Sequence, residues 1–473
     1  MLMVRENGFY KRLLMLAAPL ALQSVISFSV GLADNVMVGS LGELALSGVY
    51  IANQLQNILH MLVIGLSAAL LVLGSQFWGK REKNKVKEII GITLKFGLTS
   101  GFLLMLLTLL LPRQVLQVFS NQPSVVDEAM KYLTVIRFSY IFFCVTQILI
   151  ASMRCVETVR IGMYLSLMTF FINVGLNWIL IFGNLGAPAL GVQGAAIATL
   201  VARIIEMIAI SAYVRFVDVK LMIRFKELLK SDAELVRRFF KYGFPVILGD
   251  IFWGINLAVQ GAIIGRLGET ATASVSIANT FFSVLSVAVY GMSGATAIII
   301  GQTVGAGEYK KLRDYARTLQ VLFVVVGLVT GAAVFLVKDT IGLIYNLAPE
   351  TLAMTRNFLI ILSIMIIGTA YQVSCLTGIV RAGGATHFVL VNDLIFVWCV
   401  VIPSASLAAF VFHASPVVVF ALLKCDQILK CFVAVIKVNR FRWIKNLTYD
   451  KTSPAVIKSG SESCKTGQTG FPG

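Results

Sequence analysis

Charge is scarce in this chain of 473 residues: Asp, Glu, Lys and Arg make up only 13% of it, with 23 acids against 40 Lys and Arg. A soluble globular domain carries about a quarter charged residues, so a soluble fold is excluded. The three histidines (His60, His387, His413) have no metal-ligand spacing, and the seven cysteines include no C-x-x-C pair. A zinc framework is therefore excluded, and most of the cysteines read as small apolar residues inside spans. The alternation of an outer-membrane strand is missing too, since runs such as 101–111 and 321–337 are apolar on every face. Gly305-Ala306-Gly307 is not followed by the Lys-Ser/Thr of a phosphate-binding loop, so no nucleotide drive and no cofactor are expected. No base, nucleophile and metal-ligand set clusters at membrane depth, and an intramembrane enzyme is set aside. The N-terminus carries no cleavable signal pattern, because its first apolar run is of span length and lacks an A-x-A end.

What the chain has is apolar length. It is 58% hydrophobic, with a mean hydropathy of +0.86, and the apolar runs place spans near 13–34, 46–73, 89–111, 130–152, 162–182, 190–212, 243–265, 275–300, 318–336, 358–380, 388–411 and 416–437. Twelve spans make an all-α integral membrane protein. The net charge of +17 does not point to nucleic acid, because the cations sit in short loops between spans: Lys80, Arg81, Lys83, Lys85 and Lys87; Arg154 and Arg160; Lys310, Lys311, Arg313 and Arg317. The opposite loops are nearly bare, with Arg113, Arg266 and Lys338 the main exceptions. By the positive-inside rule the even-numbered loops and both termini are cytoplasmic, in the plasma or inner membrane.

A duplication organises the chain. A gap-free shift of 226 positions lays 19–87 on 245–313, with about twenty of the 69 pairs identical. Pro19 falls on Pro245, Leu41-Gly42-Glu43 on Leu267-Gly268-Glu269, Ile51-Ala52-Asn53 on Ile277-Ala278-Asn279, and Gln76 and Gly79 on Gln302 and Gly305. Arg154 and Arg381 continue the match one residue out of step. A unit of six spans enters the membrane the same way each time, so the copies form two six-helix bundles related by a pseudo-two-fold axis along the membrane normal. The division expected is an N-terminal lobe at 1–216, a cytoplasmic linker at 217–242 with the amphipathic spacing (Leu221, Phe225, Leu228, Leu229) of an interfacial helix, a C-terminal lobe at 243–443, and a disordered tail at 444–473. Two like-oriented bundles are suited to rocking about a central cavity.

The run Asp34-Asn35-Val36-Met37-Val38-Gly39-Ser40-Leu41-Gly42 and its repeat copy Ile263-Ile264-Gly265-Arg266-Leu267-Gly268 resemble the first-helix signature of the multidrug and toxic compound extrusion family. Asn177-Trp178-Ile179-Leu180-Ile181-Phe182-Gly183, Gly191-Val192-Gln193-Gly194-Ala195-Ala196-Ile197-Ala198-Thr199 and Val380-Arg381-Ala382-Gly383-Gly384 fit the same family in the same order, and the match runs to about residue 443. The resemblance implies twelve helices in two lobes and cation-driven export of amphipathic, often cationic organic compounds. The major facilitator type ranks below it, because the loop Gly79-Lys80-Arg81-Glu82-Lys83 lacks the usual Asp. A lipid-linked oligosaccharide flippase of the wider superfamily is the alternative, but it calls for basic residues in the cavity for pyrophosphate. Here the basic residues stay in the loops. Partners are then small organic molecules and membrane lipids, with the chain expected to act as a monomer.

Asp34 follows some twenty mostly apolar residues. An Asp at the bilayer centre costs about 2.5–3.5 kcal/mol, so such residues face a cavity or a partner and carry function. A desolvated carboxylate holds a proton more readily, or a sodium ion where neutral oxygens help. Asn173 and Asn177 lie four apart on one face of span 5, and Thr199 lies in span 6, one turn after Ala195. The family resemblance implies a proton or sodium coupling site at Asp34, Asn173, Asn177 and Thr199; the span 5 partner there is often Asp, and Asn177 in its place weights the reading towards protons. Pro19, inside span 1, is expected to kink it, and protonation of Asp34 is expected to alter that bend. In the second half the repeat mate of Asp34 is Gln260, and Trp253 stands where one branch of the family has an acid, so a second cation site of that kind is not expected. Asp250 and Asp393 are the intramembrane acids left to line a substrate cavity with Trp253. Glu206 after Arg203, and Asp426 between Lys424 and Lys430, read as structural pairs near the cytoplasmic ends.

The orientation is checked with reporter fusions. Alkaline phosphatase joined after residue 443 should be inactive and joined in the loop at Arg266 active; the reverse pattern would overturn the assignment.

Overall fold

The computed structural model describes Val4 and residues 6–340 and 348–448. Every regular element among them is helical: α1 Asn7–Gly39, α2 Glu43–Gly79, α3 Lys83–Leu110, α4 Pro112–Gln117, α5 Pro123–Ile136, α6 Ser139–Cys155, α7 Arg160–Phe182, α8 Val192–Ala212, α9 Phe225–Leu228, α10 Ala233–Gly265, α11 Glu269–Leu285, α12 Val287–Gly305, α13 Tyr309–Val337, α14 Pro349–Val373, α15 Thr386–Leu394, α16 Ile402–Phe410, α17 Pro416–Lys424 and α18 Asp426–Asn439. Wider π-helical turns extend α8 to Val217 and α14 to Arg381, and join α15 to α16 through 395–401. Helices satisfy every backbone donor and acceptor within one segment, which is what apolar runs without polar partners require in a bilayer.

Ten of these helical stretches are long and apolar enough to cross a membrane, and the pair α5–α6, bent by 57°, makes an eleventh. The span expected at 416–437 is two helices meeting at Cys425, with Lys424, Asp426 and Lys430 around the break. The span expected at 275–300 is likewise divided at Ser286. Helix α1 runs unbroken through Pro19, which is buried. The turns after α1 and α10 use Gly42 at φ 111° and Gly268 at φ 108°, a conformation that side chains with a Cβ rarely adopt; the duplicated Leu-Gly-Glu is thus a duplicated turn.

Four apolar clusters make the interior. One joins Leu59–Phe77 of α2 to Leu235, Phe239, Val246 and Ile247 of α10, and another joins Phe9, Leu13, Leu16 and Leu20 of α1 to Ile298, Ile299, Ile300 and Val304 of α12. The other two are each confined to one half of the chain: Val38, Ala45 and Val49 with Val125–Ile136, Ile181 and Val192, and Ile263, Ile264 and Val275 with Phe358–Ala370 and Val401–Leu423. The halves therefore share a core at the end holding the chain termini and are separately packed at the end holding the two Leu-Gly-Glu turns.

At the shared end the duplication produces a reciprocal contact. Gln76 of α2 donates from Nε2 to the Ala382 carbonyl at 3.0 Å, and Gln302 of α12 donates to the Cys155 carbonyl at 2.9 Å. Gln302 also accepts from Arg12 Nη2 at 2.6 Å, while Arg12 pairs with Glu157. A Cβ on Gly79 would lie 2.0 Å from the Gln302 oxygen, and one on Gly305 would lie 1.8 Å from the Gln76 oxygen. Only glycine allows this approach of α2 and α12.

Two sequence expectations change here. The segment 217–242 is not one interfacial helix: Asp218 accepts from the backbone N–H groups of Lys220, Leu221 and Met222, Met222 has φ 51°, and α10 starts at Ala233. Leu221, Ile223 and Leu228 are buried in the protein while Leu229 is exposed, so the apolar spacing served packing against α3. Residues 444–448, expected in the disordered tail, are docked: Leu447 N–H donates to Gln76 Oε1 at 2.8 Å, and Lys80 Nζ donates to the Thr448 carbonyl at 3.2 Å. The tail beyond 448 lies outside the described residues. The six described cysteines are free.

Gly79→Ala and Gly305→Ala are each expected to lower the thermal midpoint of the purified protein by several degrees, an overpacking cost of about 1–3 kcal/mol. Gly31→Ala, with nothing within 4 Å of the new Cβ, should be neutral or slightly stabilising. Equal midpoints for all three would refute the contact.

Candidate functional site: a half-buried acid and a polar cavity

Asp34 sits in the last two turns of α1, at the separately packed end, and α1 packs along both α7 and α12. Asn177 Nδ2 donates to Asp34 Oδ1 at 2.6 Å and to Asn173 Oδ1 at 3.1 Å. Asn173 Nδ2 donates to Thr199 Oγ1 at 3.3 Å, and the Thr199 hydroxyl donates to the Ala195 carbonyl at 3.0 Å. Helical spacing explains the chain of bonds: Asn173 and Asn177 are one turn apart on α7, as are Ala195 and Thr199 on α8. Asn173 and Asn177 are fully buried, where an unpartnered amide costs about 1–3 kcal/mol.

Both hydrogens of the Asn177 amide are used, yet its Oδ1 is buried with no partner. That orphan acceptor lies on the residue that contacts the acid. A protonated Asp34 would have a hydroxyl to donate, and Asn177 offers the acceptor by turning its amide. For a sodium ion the ready oxygens are the second Asp34 oxygen and Asn177 Oδ1, while Asn173 Oδ1 and Thr199 Oγ1 already accept hydrogen bonds. Among the described residues no group of three or more His, Cys, Asp or Glu could hold a metal ion. A hard cation seeks several oxygens, of which the second Asp34 oxygen and Asn177 Oδ1 stand ready here.

Two neighbours of this cluster were not assigned to it from sequence. Tyr132 of α5 is buried and reaches Thr199 and the field of Asp34. Arg203, one turn beyond Thr199, pairs with Glu206 at 2.9 Å, stacks 5.1 Å from the Phe143 ring, and acts electrostatically on Asp34 and His60. The pairing of Arg203 with Glu206 was expected, but its place near a helix end was not: both residues are mid-span in α8 and Glu206 is buried. The four-residue step from Thr199 to Arg203 was the available signal. Among the described residues Asp34 itself makes no ion pair.

A second polar region is a cavity of about 520 Å³ lined by α10, α12, α14, α15 and α18, with Met61, Ile64, Ala68 and Leu71 of α2. Asp250, Trp253 and Asp393 all line it, but Asp34 and its partners do not. Both acids are engaged. Arg381 holds Asp250 with two bonds, of 3.2 and 2.9 Å, and Lys430 Nζ lies 2.9 Å from Asp393 Oδ1 and 3.1 Å from Asp426. Lys424 turns elsewhere, donating to Gln260 Oε1 at 3.0 Å, and Gln260 donates to Asn256. Asp426, expected near a cytoplasmic end, is buried mid-span and belongs to Lys430 alone of its two flanking lysines. Gln427 is fixed between Thr369, Gln372 and Asp426 at 2.8–3.0 Å. The rest of the wall is mainly apolar and aromatic, including Phe252, Tyr290 and Trp398, with the hydroxyls of Ser293, Thr377 and Thr386, the composition of a small-molecule site.

Comparisons with known proteins agree on one kind of molecule. The family model MatE matches residues 19–179 and again 245–407. The multidrug resistance protein MdtK of Yersinia pseudotuberculosis (serotype O:1b, strain IP 31758) is 24% identical over 443 residues, covering 92% of this chain and 95% of that relative. The Vibrio cholerae MATE transporter VcmN, in its D35N mutant, superposes with a TM-score of 0.84 at 19% identity over 93% of this chain and 98% of that one. The eukaryotic MATE transporter AtDTX14 superposes at 0.78 with 22% identity, over 93% and 97%.

Asn177→Ala removes the side-chain partner of Asp34 found among the described residues and unpairs Asn173 Oδ1. It should destabilise the protein by about 1–3 kcal/mol, read as a drop in thermal midpoint, with Asn177→Asp partly rescuing it at low pH. An unchanged midpoint in the alanine variant would show the amide to be idle.

Proposed function

This chain belongs to the MatE family of multidrug and toxic compound extrusion transporters, a membrane protein of many spans and not an enzyme, and from that premise we propose that it is a proton-coupled antiporter exporting amphipathic, often cationic organic compounds. Asp34 is the coupling group, with Asn173, Asn177 and Thr199 as its supporting oxygens and amides. The observation that carries the reading is the hydrogen-bond chain through buried Asn173 and Asn177 ending on an acid that, among the described residues, has no basic partner, beside an amide oxygen without a partner either. Such a carboxyl is free to gain and lose a proton, whereas Asp250 and Asp393 are tied to cations.

The cycle follows from the packing. The N-terminal lobe (1–216) and the C-terminal lobe (243–443) meet at the termini end through the Gln76 and Gln302 contacts and stand apart at the other. With the termini cytoplasmic, this state faces outwards. Protonation of Asp34 replaces an accepted hydrogen bond with a donated one, which repositions α1 against α7; Pro19, without a backbone N–H to hold, is where α1 yields. Opening inwards then requires the glutamine contacts and the Arg12–Glu157 pair to part. Substrate occupies the cavity around Asp250, Trp253 and Asp393. The flippase alternative is disfavoured because the two basic residues of that cavity, Arg381 and Lys430, are both neutralised by carboxylates, leaving no free cradle for pyrophosphate.

Magnitudes constrain the stoichiometry. One pH unit is worth about 1.4 kcal/mol, and one charge crossing 100 mV about 2.3 kcal/mol. One proton exchanged for a neutral compound sustains a gradient of several hundred-fold by these figures. Exchange for a monovalent cation cancels the electrical part and leaves about tenfold per pH unit, so useful export of cations needs a steeper gradient or more than one proton.

In proteoliposomes with pH and sodium gradients imposed separately, efflux of a cationic dye should follow the pH gradient and be abolished by Asp34→Asn, with the variant still monodisperse. Efflux driven by sodium alone would transfer the coupling to that ion, and normal efflux in Asp34→Asn would reject the assignment.

A further inference from the structure

The two acids that line the cavity are held in different ways. Asp250 has both oxygens occupied by Arg381, whose side chain is only 11% exposed. A bidentate guanidinium engages both oxygens of such a carboxylate and holds it more firmly than a single bond does. Asp393 instead meets Lys430 through Oδ1, and its side chain is 43% exposed, against 2% for Lys430 and 4% for Asp426. Lys430 thus bridges one carboxylate that faces the cavity and one that does not, since Asp426 is absent from the cavity wall. Asp426 is held in place by Gln427, which is itself fixed by Thr369 and Gln372. Lys430 and Asp426 are one helical turn apart on α18, so their pairing survives if Asp393 lets go.

We infer that Lys430 is a tethered resident cation, which occupies Asp393 when the cavity is empty and must be displaced from it by a cationic substrate. This rests on the reading of the cavity as the substrate site, and it adds a residue that sets affinity and selectivity. The ammonium of Lys430 needs no new partner when displaced, because Asp426 keeps it, and its short point charge is released more readily than a two-pronged guanidinium would be. Its high local concentration raises the affinity a soluble cation needs. It also returns to Asp393 as substrate leaves, which favours release. Neutral compounds, resting on Trp253, Trp398 and Tyr290, do not meet this competition. The tether therefore discriminates by charge where the aromatic wall does not. The duplication is consistent with an architectural position for such a cation: the 227-residue offset that sets Arg154 on Arg381 also sets Arg203 on Lys430.

The test is equilibrium binding to the purified full-length protein, with ethidium as an aromatic monocation and phenanthridinone as a neutral ring system of similar shape. The double variant Lys430→Met/Asp426→Asn removes one charge of each sign, so the net field is unchanged and only the tether is lost. It should bind ethidium about tenfold more tightly and phenanthridinone as before. Asp393→Asn should weaken ethidium about tenfold and leave phenanthridinone unchanged. If the double variant binds ethidium no better while Asp393→Asn still weakens it, the cavity reading stands and the tether is wrong. If Asp393→Asn has no effect on ethidium, both fail. Should the double variant not fold, Lys430→Arg decides: a guanidinium gripping both carboxylates should weaken ethidium several-fold, and unaltered or tighter binding overturns the inference.

Discussion

The close passage of α2 and α12, with Gly79 against the Gln302 carbonyl and Gly305 against that of Gln76, is the contact on which the rest of the structure turns. Lipid tails are as apolar as leucine, so helices in a bilayer are held by near contact and by hydrogen bonds rather than by apolar burial alone. Here both operate at once: the glycines bring the backbones together, and the same two glutamines cross to carbonyls of the opposite half. With the halves pinned at that end, the cores at the far end are packed separately; the cavity lies between α2 and the second half, and the acid cluster lies within the first half.

The two halves have diverged in how they hold buried charge. In the first, Asp34 is balanced by amides and a hydroxyl, with Arg203 acting at a distance. In the second, every cavity acid is tied to a cation, and the mate of Asp34 is Gln260, which serves Lys424 and Asn256. Removing one member of a buried ion pair costs about 3–5 kcal/mol, so paired acids are poorly placed to exchange a proton, while an acid held by neutral donors can do so at small structural cost. The proposed division of labour, coupling in the first half and substrate in the second, follows from that asymmetry. The MatE model matches both halves separately, so the common scaffold tolerated this divergence in chemistry.

Much of the fold was legible because membrane helices announce themselves by apolar length, and the 226-residue repeat is plain in Pro19 and Pro245 or Gln76 and Gln302. The misreadings share a cause. Leu221 and Leu228 have the spacing of a surface helix but bury themselves against α3, because Asp218 turns the chain before a helix can form. Residues 444–448 look polar and loose, yet their backbone groups meet Gln76 and Lys80. Spacing along one segment carries no information about which distant segment will supply a partner. Asn173, Asn177 and Thr199 could be grouped by helical period within α7 and within α8, but Tyr132 and the orphan oxygen of Asn177 had no such signal.

By itself the sequence determined that this is a helical membrane protein, that its chain carries a duplication, and that Asp34 is an acid set in an apolar run; each follows from local composition and period, which physics acts on segment by segment. Only the tertiary structure decided that Arg381 and Lys430 neutralise Asp250 and Asp393, that Lys424 goes to Gln260 instead of Asp426, and that the halves close at one end. Those outcomes depend on which helices come within about 3 Å of each other, and that is set by the packing of the whole chain.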